Sequence, residues 1–428
     1  MIELNSSKKF SGSITIPSDK SISHRSAILN SVAFGEAIIS NFSNGNDCLS
    51  TLNVLSKLGV QIDIENKNEF LNLRITGNGY EGLTRPNSPL DAGNSGTTTR
   101  LMSGILSSLS FETTISGDNS LNSRPMKRII DPLSLMGAEI ISNDNKAPLT
   151  FKPSNLNGIN YEMNISSAQV KSCIMLAGLN SHSETVIKQP SLSRDHTERM
   201  LEGMGANIKT SKLDIIIEPS KLNSVDLTIP GDVSSASFWM VAALIHPNSN
   251  ITLKNVGMNP LRTGIIDILK KMGGKIIIED ERIEANEPVA NIKVMSSNLN
   301  GVEISGEIIP KLIDEIPIII IAASIANGAT YIKNAEELRY KETDRLLAMS
   351  KFLEKSKIEH TLYDDGIKIF GNGQFIGGEF DTYDDHRIAM SVAISSIIAK
   401  NKTVINDHEV ASISYKNFYK HLEQLKFD

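Results

Sequence analysis

The sequence predicts an α/β (α+β) protein of two inside-out domains, each made of three βαββαβ repeats with buried helices and outer mixed sheets. Three observations lead to this prediction. A helix-ending glycine motif recurs along the chain, apolar helices alternate with amphipathic ones, and short β-branched runs follow both kinds of helix. A chain of 428 residues is also longer than one hydrophobic core usually serves, which favours two domains.

The glycine motif consists of a large apolar residue, Gly, two further residues and, in most copies, Ile. Its glycines lie roughly 70 residues apart, which indicates a structural repeat, and they are Gly59, Gly137, Gly205 and Gly273. A glycine directly after a helix adopts a left-handed cap, and the isoleucine that follows begins a strand. We expect a fifth, degenerate copy with Ser356 in the glycine position.

A second kind of helix alternates with the first and is apolar on nearly every face, as at residues 98–107, 168–178 and 316–326. A helix that is hydrophobic all round is a buried helix. The helices that end in the glycine motif are instead amphipathic, as at residues 195–204. Each repeat therefore contains one buried helix, one surface helix and about four strands.

Six such repeats divide into two groups of three. Because the buried helices form the centre of each group, the sheets must lie outside them, and we expect the active site in the cleft between the domains, at the helix N-termini. Residues 229–232 resemble residues 16–19, which suggests a pair of crossover strands. We therefore expect one domain at residues 19–231 and the other at residues 1–18 plus 232–428.

The composition excludes several classes of protein. With 40% hydrophobic and 21% charged residues the chain is typical of a globular protein, and its net charge of −6 argues against a nucleic-acid partner. Cys48 and Cys173 have no metal-ligand spacing and indicate a reducing compartment. The N-terminus lacks the pattern of a signal peptide, and no apolar run is long enough to cross a membrane. We expect a cytoplasmic protein without a metal or a membrane partner.

Cations, hydroxyls, amides and carboxylates gather at the predicted helix starts. A helix start presents free N–H groups and a partial positive charge, which suits anions. The residues are Lys20, Ser21, Arg25, Asn94, Gly96, Arg124, Ser166, Ser167, Gln169, Arg194, Asp314, Lys341, Glu342, Arg345 and Arg387. Taken singly, each is also explained as a cap or a surface ion pair. Taken together, they indicate a site for phosphates and carboxylates with groups for proton transfer.

No cofactor motif fits the chain. The glycine-rich residues 77–82 have the spacing of a dinucleotide fingerprint, but they lead to Leu83 and Pro86 rather than to a helix. Asp19 occupies the position where a Walker loop needs glycine before Lys20. We therefore expect no cofactor.

Five motifs together resemble the EPSP synthase (3-phosphoshikimate 1-carboxyvinyltransferase) family of enolpyruvyl transferases. They are Pro-Ser-Asp-Lys-Ser with His-Arg at 17–25, Gly-Asn-Ser-Gly-Thr at 93–97, Ser-Arg-Pro-Met at 123–126, Lys-Glu-Thr-Asp-Arg at 341–345 and Asp-Asp-His-Arg at 384–387. The resemblance covers essentially the whole chain. It implies a cofactor-free transfer of the enolpyruvyl group from phosphoenolpyruvate to the 5-hydroxyl of shikimate 3-phosphate, in chorismate and aromatic amino-acid biosynthesis.

The resemblance also implies roles for the matching residues. Asp314 is the base on the acceptor side, Glu342 is the proton donor to the methylene carbon, and Lys20 shares the acid/base work. The residues that would bind shikimate 3-phosphate are Lys20, Ser21, Arg25, Ser166, Ser167, Gln169, Arg194, Asp314 and Lys341. Those that would bind phosphoenolpyruvate are Lys20, Asn94, Gly96, Arg124, Gln169, Arg345 and Arg387. The expected partners are these two small molecules, and the expected state is a monomer.

Two alternatives stay open at this point. UDP-N-acetylglucosamine enolpyruvyltransferases share the fold and the chemistry, but they carry a catalytic cysteine before an Arg-Pro motif, and residues 116–123 contain none. A non-catalytic phosphate-binding scaffold would keep its cations and lose its carboxylates, yet Asp314 and Glu342 are both present. One departure from the family pattern is Ile413, where many members have a lysine; Lys416 is the nearest cation.

Overall fold

A computed structural model describes residues 1–67, 70–284, 286–371 and 373–427. The chain divides into two compact units. The first unit contains residues 18–229, and the second contains residues 1–17 together with residues 230–428.

Helices occur in both units at regular intervals. In chain order they are α1 (Lys20–Ser31), α2 (Asn46–Lys57), α3 (Gly96–Leu106), α4 (Asn119–Ser123), α5 (Lys127–Leu135), α6 (Ala168–Leu179), α7 (His196–Gly203), α8 (Val233–Ile245), α9 (Gly264–Lys271), α10 (Ile309–Leu312), α11 (Ile316–Ile325), α12 (Arg345–Lys355), α13 (His386–Ser396) and α14 (Phe418–Leu425). Short 3₁₀ helices span Tyr80–Gly82, Gly306–Ile308, Ile313–Glu315, Glu336–Tyr340 and His408–Ile413.

Strands fill the segments between the helices. They are β1 (Ile2–Leu4), β2 (Lys9–Thr15), β3 (Ala33–Ser43), β4 (Gln61–Asn66), β5 (Phe70–Asn78), β6 (Leu90–Asp91), β7 (Thr113–Ser116), β8 (Ile140–Asn143), β9 (Lys146–Phe151), β10 (Asn160–Glu162), β11 (Thr185–Lys188), β12 (Ile208–Ser211), β13 (Asp214–Ile217), β14 (Leu222–Asn223), β15 (Leu227–Thr228), β16 (Ser249–Gly257), β17 (Lys275–Glu284), β18 (Glu287–Met295), β19 (Glu303–Ile304), β20 (Gly328–Ile332), β21 (His360–Tyr363), β22 (Gly366–Gly371), β23 (Glu379–Phe380), β24 (Thr403–Ile405) and β25 (Lys426–Phe427).

Each unit arranges its strands in several small mixed sheets. The sheets of the first unit have the orders β14-β3-β5-β4 with β15 beside β3, β6-β7-β9-β8 and β10-β11-β13-β12. Those of the second unit have the orders β17-β18-β16-β2-β25, β19-β20-β22-β21 and β1-β24-β23. In a typical sheet the first pair is parallel and the next two pairs are antiparallel, as for β10, β11, β13 and β12.

The mixed α/β class is confirmed, but the order of elements within a repeat is βαβαββ and not βαββαβ. The repeat that begins at β10 continues through α6, β11, α7, β12 and β13. One strand therefore separates the two helices, and an antiparallel hairpin follows the second helix. The hairpin strand β13 then pairs with β11, so that Thr185 lies opposite Ile217. Short apolar runs in the sequence do not show how many strands lie between the two helices of a repeat. The predicted order of elements was wrong for this reason.

Buried helices form the core of each unit. Every residue of α8 is buried, and so are nine of the ten residues of α11. In the first unit the central helices are α1, α3 and α6, with nearly all of their residues buried. The sheets lie outside, since β4 and most of β17 are exposed. Among the described residues, no helix has the length and apolar character needed to cross a membrane.

The glycine motif forms the predicted helix ends. Gly59 follows α2 with a φ of 86°, and its amide donates a hydrogen bond to the carbonyl of Ser56. The fifth copy differs from the prediction by one residue. Lys357, with a φ of 56°, occupies the left-handed position, and its amide donates to the carbonyl of Glu354. Ser356, the residue before Lys357, is the C-cap of α12.

Candidate active site

In the first unit, the N-terminal turns of the three buried helices are joined by polar side chains. The Nδ1 atom of His24 in α1 lies 2.6 Å from the hydroxyl of Thr51, which in turn lies 2.7 Å from the hydroxyl of Thr98 in α3. The amide of Gln169 in α6 donates to the hydroxyl of Thr97 at 3.0 Å. The predicted site residues at these three helix starts are therefore neighbours.

Lys20 is the first residue of α1. Asp19 caps this helix by accepting a hydrogen bond from the Ile22 amide at 2.8 Å. The ammonium of Lys20 forms an ion pair with the carboxylate of Asp47, at the start of α2, and about one fifth of its side chain is exposed. The sequence did not single out Asp47, because its partner Lys20 lies in a different helix, 27 residues earlier in the chain.

Arg25 is buried one turn further along α1. Its Nε donates to the hydroxyl of Thr197 at 2.7 Å, and one Nη donates to the hydroxyl of Ser172 at 3.1 Å. The other Nη donates to the carbonyl of Ser21 at 3.0 Å. These bonds run in three directions, and they hold the guanidinium in one orientation against α6 and α7.

Asn94 and Arg124 form a second cationic group near the start of α3. The side-chain carbonyl of Asn94 accepts a hydrogen bond from Arg124 at 2.7 Å, and its amide donates to Asp118 at 2.7 Å. The Nε of Arg124 is buried and has no hydrogen-bond partner among the described residues. A buried donor without a partner is costly unless a ligand or water supplies an acceptor.

Gly96 begins α3 between two arginines. A Cβ atom added at this position would lie 2.8 Å from Nη1 of Arg100 and 3.4 Å from Nη1 of Arg124. Nη1 of Arg100 donates to the side-chain oxygen of Gln169 at 2.9 Å. Arg100 was not among the predicted site residues; its position one turn after Gly96 in α3 was the available signal.

The remaining predicted residues of the first unit lie around the start of α6. Ser167 caps this helix by accepting a bond from the Val170 amide at 3.4 Å. The hydroxyl of Ser166 donates to the carbonyl of Ser191 at 2.7 Å. Arg194 is half-buried in the loop before α7. The hydroxyl oxygen of Ser166 also accepts a hydrogen bond from the Ser191 amide at 2.9 Å, so Ser166 is tied to Ser191 in both directions.

In the second unit, Arg345 is buried among three carboxylates. Its guanidinium donates to Asp385 at 2.7 Å, to Glu342 at 2.6 Å and to Asp314 at 3.3 Å. Burial alone would lower the pKa of Arg345, but Asp385, Glu342 and Asp314 together raise it above the ordinary arginine value. Lys341 contributes a second cation, with its ammonium 3.4 Å from the carboxylate of Asp314.

Arg387 joins the same group from the start of α13. Its guanidinium donates to the backbone carbonyl of Asp314 at 3.1 Å and lies 3.7 Å from the buried carboxylate of Glu315. Asp314 itself lies in the 3₁₀ helix before α11 and does not cap that helix. Glu315, which accepts a hydrogen bond from Ser234, was not a predicted site residue.

Each unit thus presents its own set of charged groups. The first unit supplies cations and neutral donors, and the second supplies carboxylates together with cations. Ile413 is half-buried at the end of a 3₁₀ helix, while Lys416 is exposed. In the part of the chain that the structure describes, no group of three or more His, Cys, Asp or Glu side chains is arranged to hold a metal ion.

His24 makes the stability of the first unit depend on pH. Burial, followed by the charges of Lys20 and Arg25, lowers the pKa of His24 well below the ordinary histidine value. Below about pH 6.5 the His24 imidazole binds a proton in the unfolded chain but stays neutral in the folded chain. The free energy of unfolding therefore falls as the pH falls. We expect the melting temperature to decrease from about pH 7 to pH 5 less steeply in His24→Asn than in the wild type. The control variant is His182→Asn, because His182 is exposed. Equal slopes of melting temperature against pH for His24→Asn and the wild type would contradict the prediction.

Known proteins resemble this chain over almost its whole length. The family model described as EPSP synthase (3-phosphoshikimate 1-carboxyvinyltransferase) matches residues 4–422. A 3-phosphoshikimate 1-carboxyvinyltransferase of Oceanobacillus iheyensis is 46% identical over 417 residues, covering 97% of this chain and 96% of that protein. A protein of the same name from a Thermoanaerobacter species is 46% identical over 426 residues, covering 99% of this chain and 100% of that protein.

Solved structures agree with the sequence relatives. The structure of EPSP synthase from Acinetobacter baumannii has a TM-score of 0.88 and 40% identity, covering 99% of this chain and 97% of that one. The enolpyruvyl transferase NikO from Streptomyces tendae has a TM-score of 0.81 at 16% identity, covering 99% of this chain and 96% of that one, and shows the shared fold alone. On this family match and these full-length relatives, the chain belongs to the EPSP synthase (3-phosphoshikimate 1-carboxyvinyltransferase) family.

Proposed function

We propose that the protein transfers the enolpyruvyl group of phosphoenolpyruvate to the 5-hydroxyl of shikimate 3-phosphate, giving 5-enolpyruvylshikimate 3-phosphate and phosphate. The observation that carries this proposal is the buried guanidinium of Arg345, which holds the carboxylates of Asp314 and Glu342 close together. The transfer needs two groups for proton transfer, held in fixed positions next to cations. Family membership supplies the substrates, through the printed names of the relatives.

In the proposed mechanism Asp314 takes the proton of the acceptor hydroxyl. The hydroxyl oxygen bonds to C2 of phosphoenolpyruvate at the same time. Glu342 donates a proton to C3, and Lys20 assists between the two substrates. The tetrahedral intermediate then loses phosphate from C2 and a proton from C3, which restores the carbon–carbon double bond. Asp314 and Glu342 share one cation, so their positions are coupled. No cofactor takes part in these steps.

The cations divide between the two substrates. We assign the binding of shikimate 3-phosphate to residues with hydroxyl, amide, carboxylate and cationic side chains. They are Lys20, Ser21, Arg25, Ser166, Ser167, Gln169, Arg194, Asp314 and Lys341. We assign phosphoenolpyruvate to Lys20, Asn94, Gly96, Arg124, Gln169, Arg345 and Arg387. The buried and unpartnered Nε of Arg124 supports an anion at this place. Fixed guanidinium groups suit phosphates and carboxylates because they bind them in a bidentate way.

The two compact units are, in this proposal, the two domains of one enzyme, and each contributes residues that bind or convert the substrates. The domains extend over residues 19–231 and over residues 1–18 plus 232–428. We further propose a monomer in the cytoplasm. The reducing compartment is supported by the two buried thiols of Cys48 and Cys173, which are not joined in a disulfide.

A phosphate-release assay with separate acceptors tests the proposal. Wild-type protein with phosphoenolpyruvate is given shikimate 3-phosphate in one reaction and UDP-N-acetylglucosamine in the other. We expect phosphate release that depends on shikimate 3-phosphate alone. Release that depends on UDP-N-acetylglucosamine alone would show that the protein is a UDP-N-acetylglucosamine enolpyruvyltransferase. No release with either acceptor would favour a non-catalytic binding protein.

Gly96 leads to a prediction about glyphosate, the inhibitor that occupies the phosphoenolpyruvate site in this family. A Cβ at residue 96 would lie 2.8 Å from Nη1 of Arg100, so that Arg100 and its bond to Gln169 would have to move. We expect the wild type to be inhibited well below millimolar glyphosate. We expect Gly96→Ala to be inhibited more weakly, with a raised KM for phosphoenolpyruvate. Inhibition of the wild type only at millimolar concentrations or above would contradict this prediction.

Gly137→Ala is the control for this experiment. Gly137 follows α5, and a Cβ there would meet only the carbonyl of Asn155, at 3.3 Å. We expect this variant to lose some stability because of its φ of 101°, while its glyphosate inhibition stays that of the wild type.

A further inference from the structure

A fully buried ion pair lies inside the first unit, outside the set of residues assigned to the substrates. The ammonium of Lys171 in α6 lies 2.5 Å from a carboxylate oxygen of Glu198 in α7, and the two side chains are only 1% and 7% exposed. The neighbours of Lys171 in α6 are buried; Val170, Cys173 and Ile174 are apolar, and Ser172 is polar.

Such a pair is an expensive way to stabilise a core. Both charges lose their hydration, and replacing a buried ion pair with apolar residues of similar size is often neutral or stabilising. The second carboxylate oxygen of Glu198 is buried without a hydrogen-bond partner among the described residues, which adds to the cost. A role in positioning other groups would account for a pair that contributes little to stability.

The third contact of Lys171 points to that role. Its ammonium also donates to the backbone carbonyl of Ser193 at 3.0 Å. Ser193 immediately precedes Arg194, and Glu198 lies four residues beyond it. A single buried ammonium therefore holds both ends of the short segment that carries Arg194. The hydroxyl of Ser193 donates to the side chain of Gln189 at 3.1 Å, which fixes the segment further.

Arg25 depends on the same junction between α6 and α7. Its guanidinium donates to Ser172 and Thr197, the residues next to Lys171 and Glu198 in the sequence. The hydroxyls of Ser172 and Thr197 also lie 2.7 Å apart. The ion pair and this hydroxyl pair are thus adjacent links between the same two helices. A shift of α7 against α6 would move both Arg25 and Arg194.

We propose that Lys171 and Glu198 are positioning residues that set Arg25 and Arg194 in place for the phosphate of the acceptor substrate. The proposal rests on the proposed function, in which both arginines bind shikimate 3-phosphate. Neither Lys171 nor Glu198 touches substrate. They act through the carbonyl of Ser193 and through the hydroxyls of Ser172 and Thr197.

The test uses the full-length double variant Lys171→Met/Glu198→Gln, which removes both charges and leaves no unpaired one. We expect its KM for shikimate 3-phosphate to rise about tenfold or more, because a small displacement of binding groups is costly. We expect its KM for phosphoenolpyruvate to change less than about twofold. Its melting temperature should stay close to that of the wild type, because the desolvation cost of two buried charges is removed together with their contacts.

The control is Lys152→Met/Glu112→Gln, which removes an ion pair of the same unit whose side chains are more than one third exposed. We expect both KM values of this control to equal those of the wild type. A folded Lys171→Met/Glu198→Gln variant with an unchanged KM for shikimate 3-phosphate would overturn the proposal, and so would equal increases in both KM values. If the double variant does not fold, Glu198→Gln replaces it, with an expected increase of about threefold and the same overturning results.

Calorimetric titration of shikimate 3-phosphate into the wild type separates this proposal from the function on which it rests. Absence of binding and turnover in the wild type would refute the proposed function. Binding by the wild type that is equally tight in Lys171→Met/Glu198→Gln would refute the positioning role and leave the function intact.

Discussion

We expect Arg345→Met to lower the free energy of unfolding by about 3 to 5 kcal/mol and to abolish turnover. Arg345 is 1% exposed, and its guanidinium is the shared partner of Asp314, Glu342 and Asp385. The side chain of Asp385 is fully buried, so the variant would leave a carboxylate in the interior without its cation. Such an uncompensated charge is among the most destabilising changes that a single substitution can make.

Thermal unfolding by calorimetry measures this effect, with Arg339→Met as the matched control. Arg339 also forms an ion pair, at 2.7 Å from Asp344, but about a quarter of each side chain is exposed. Arg339 also donates to the carbonyls of Tyr363 and Asp364, so the control should lose some stability, but less than Arg345→Met, because Asp344 stays in contact with water. Adding Asp385→Asn to Arg345→Met removes the buried charge and should recover part of the stability without recovering turnover. Equal melting temperatures for Arg345→Met and Arg339→Met would contradict the prediction.

Lys20→Met is expected to reduce kcat about 10²- to 10³-fold, the usual effect of removing one group that stabilises developing charge. The side chain of Lys20 is partly exposed at the start of α1, and its ion pair with Asp47 keeps the ammonium at that position. Because methionine keeps an unbranched side chain of similar length, the folded structure should survive the substitution.

Steady-state kinetics and thermal unfolding together test the role of Lys20. The double variant Lys20→Met/Asp47→Asn removes the unpaired carboxylate and should match the wild type in melting temperature while staying as inactive as Lys20→Met. Lys67→Met, at an exposed ion pair with Glu65, is the surface control and should change neither property. Full activity in Lys20→Met, or a loss of turnover that is explained entirely by unfolding, would show that Lys20 has only a structural role.

The sequence predicted the architecture well because burial of a whole helix is visible in composition. The mostly apolar helices α8 and α11 have almost no polar face to turn to water, so sheets outside a helical core follow directly. The order of helices and strands within a repeat could not be predicted, because short hydrophobic runs do not fix how many strands lie between two helices. The left-handed position of Lys357 was missed for a local reason: a residue other than glycine takes this conformation only when its surroundings demand it.

The candidate site was predictable where a residue stands at a helix start, as for Lys20, Gly96 and Arg387. It was not predictable which side chains of one helix contact those of another. Asp47, Arg100 and Glu315 support the site through contacts made only in the folded chain. One further signal was available in the sequence. Lys171 is the one charged residue of α6, a helix of mostly apolar residues, which indicates a buried partner of opposite charge.

The two units carry complementary chemistry, and the proposed function requires both. In the proposed mechanism, cations and amides of the first unit bind the substrate anions, and Asp314 and Glu342 of the second unit transfer protons. A protein that only bound phosphates would need no carboxylates coupled through Arg345. The central claim is therefore that these carboxylates serve bond formation between the two substrates.

A ¹³C NMR spectrum tests this claim most directly. Wild-type protein is incubated with shikimate 3-phosphate and phosphoenolpyruvate labelled at C2, and the labelled carbon is followed with time. We predict that the label moves into an enol ether carbon attached to the 5-oxygen of shikimate 3-phosphate, with one phosphate released per label transferred. Label that stays in phosphoenolpyruvate, or that appears in pyruvate, in the presence of folded protein would contradict it.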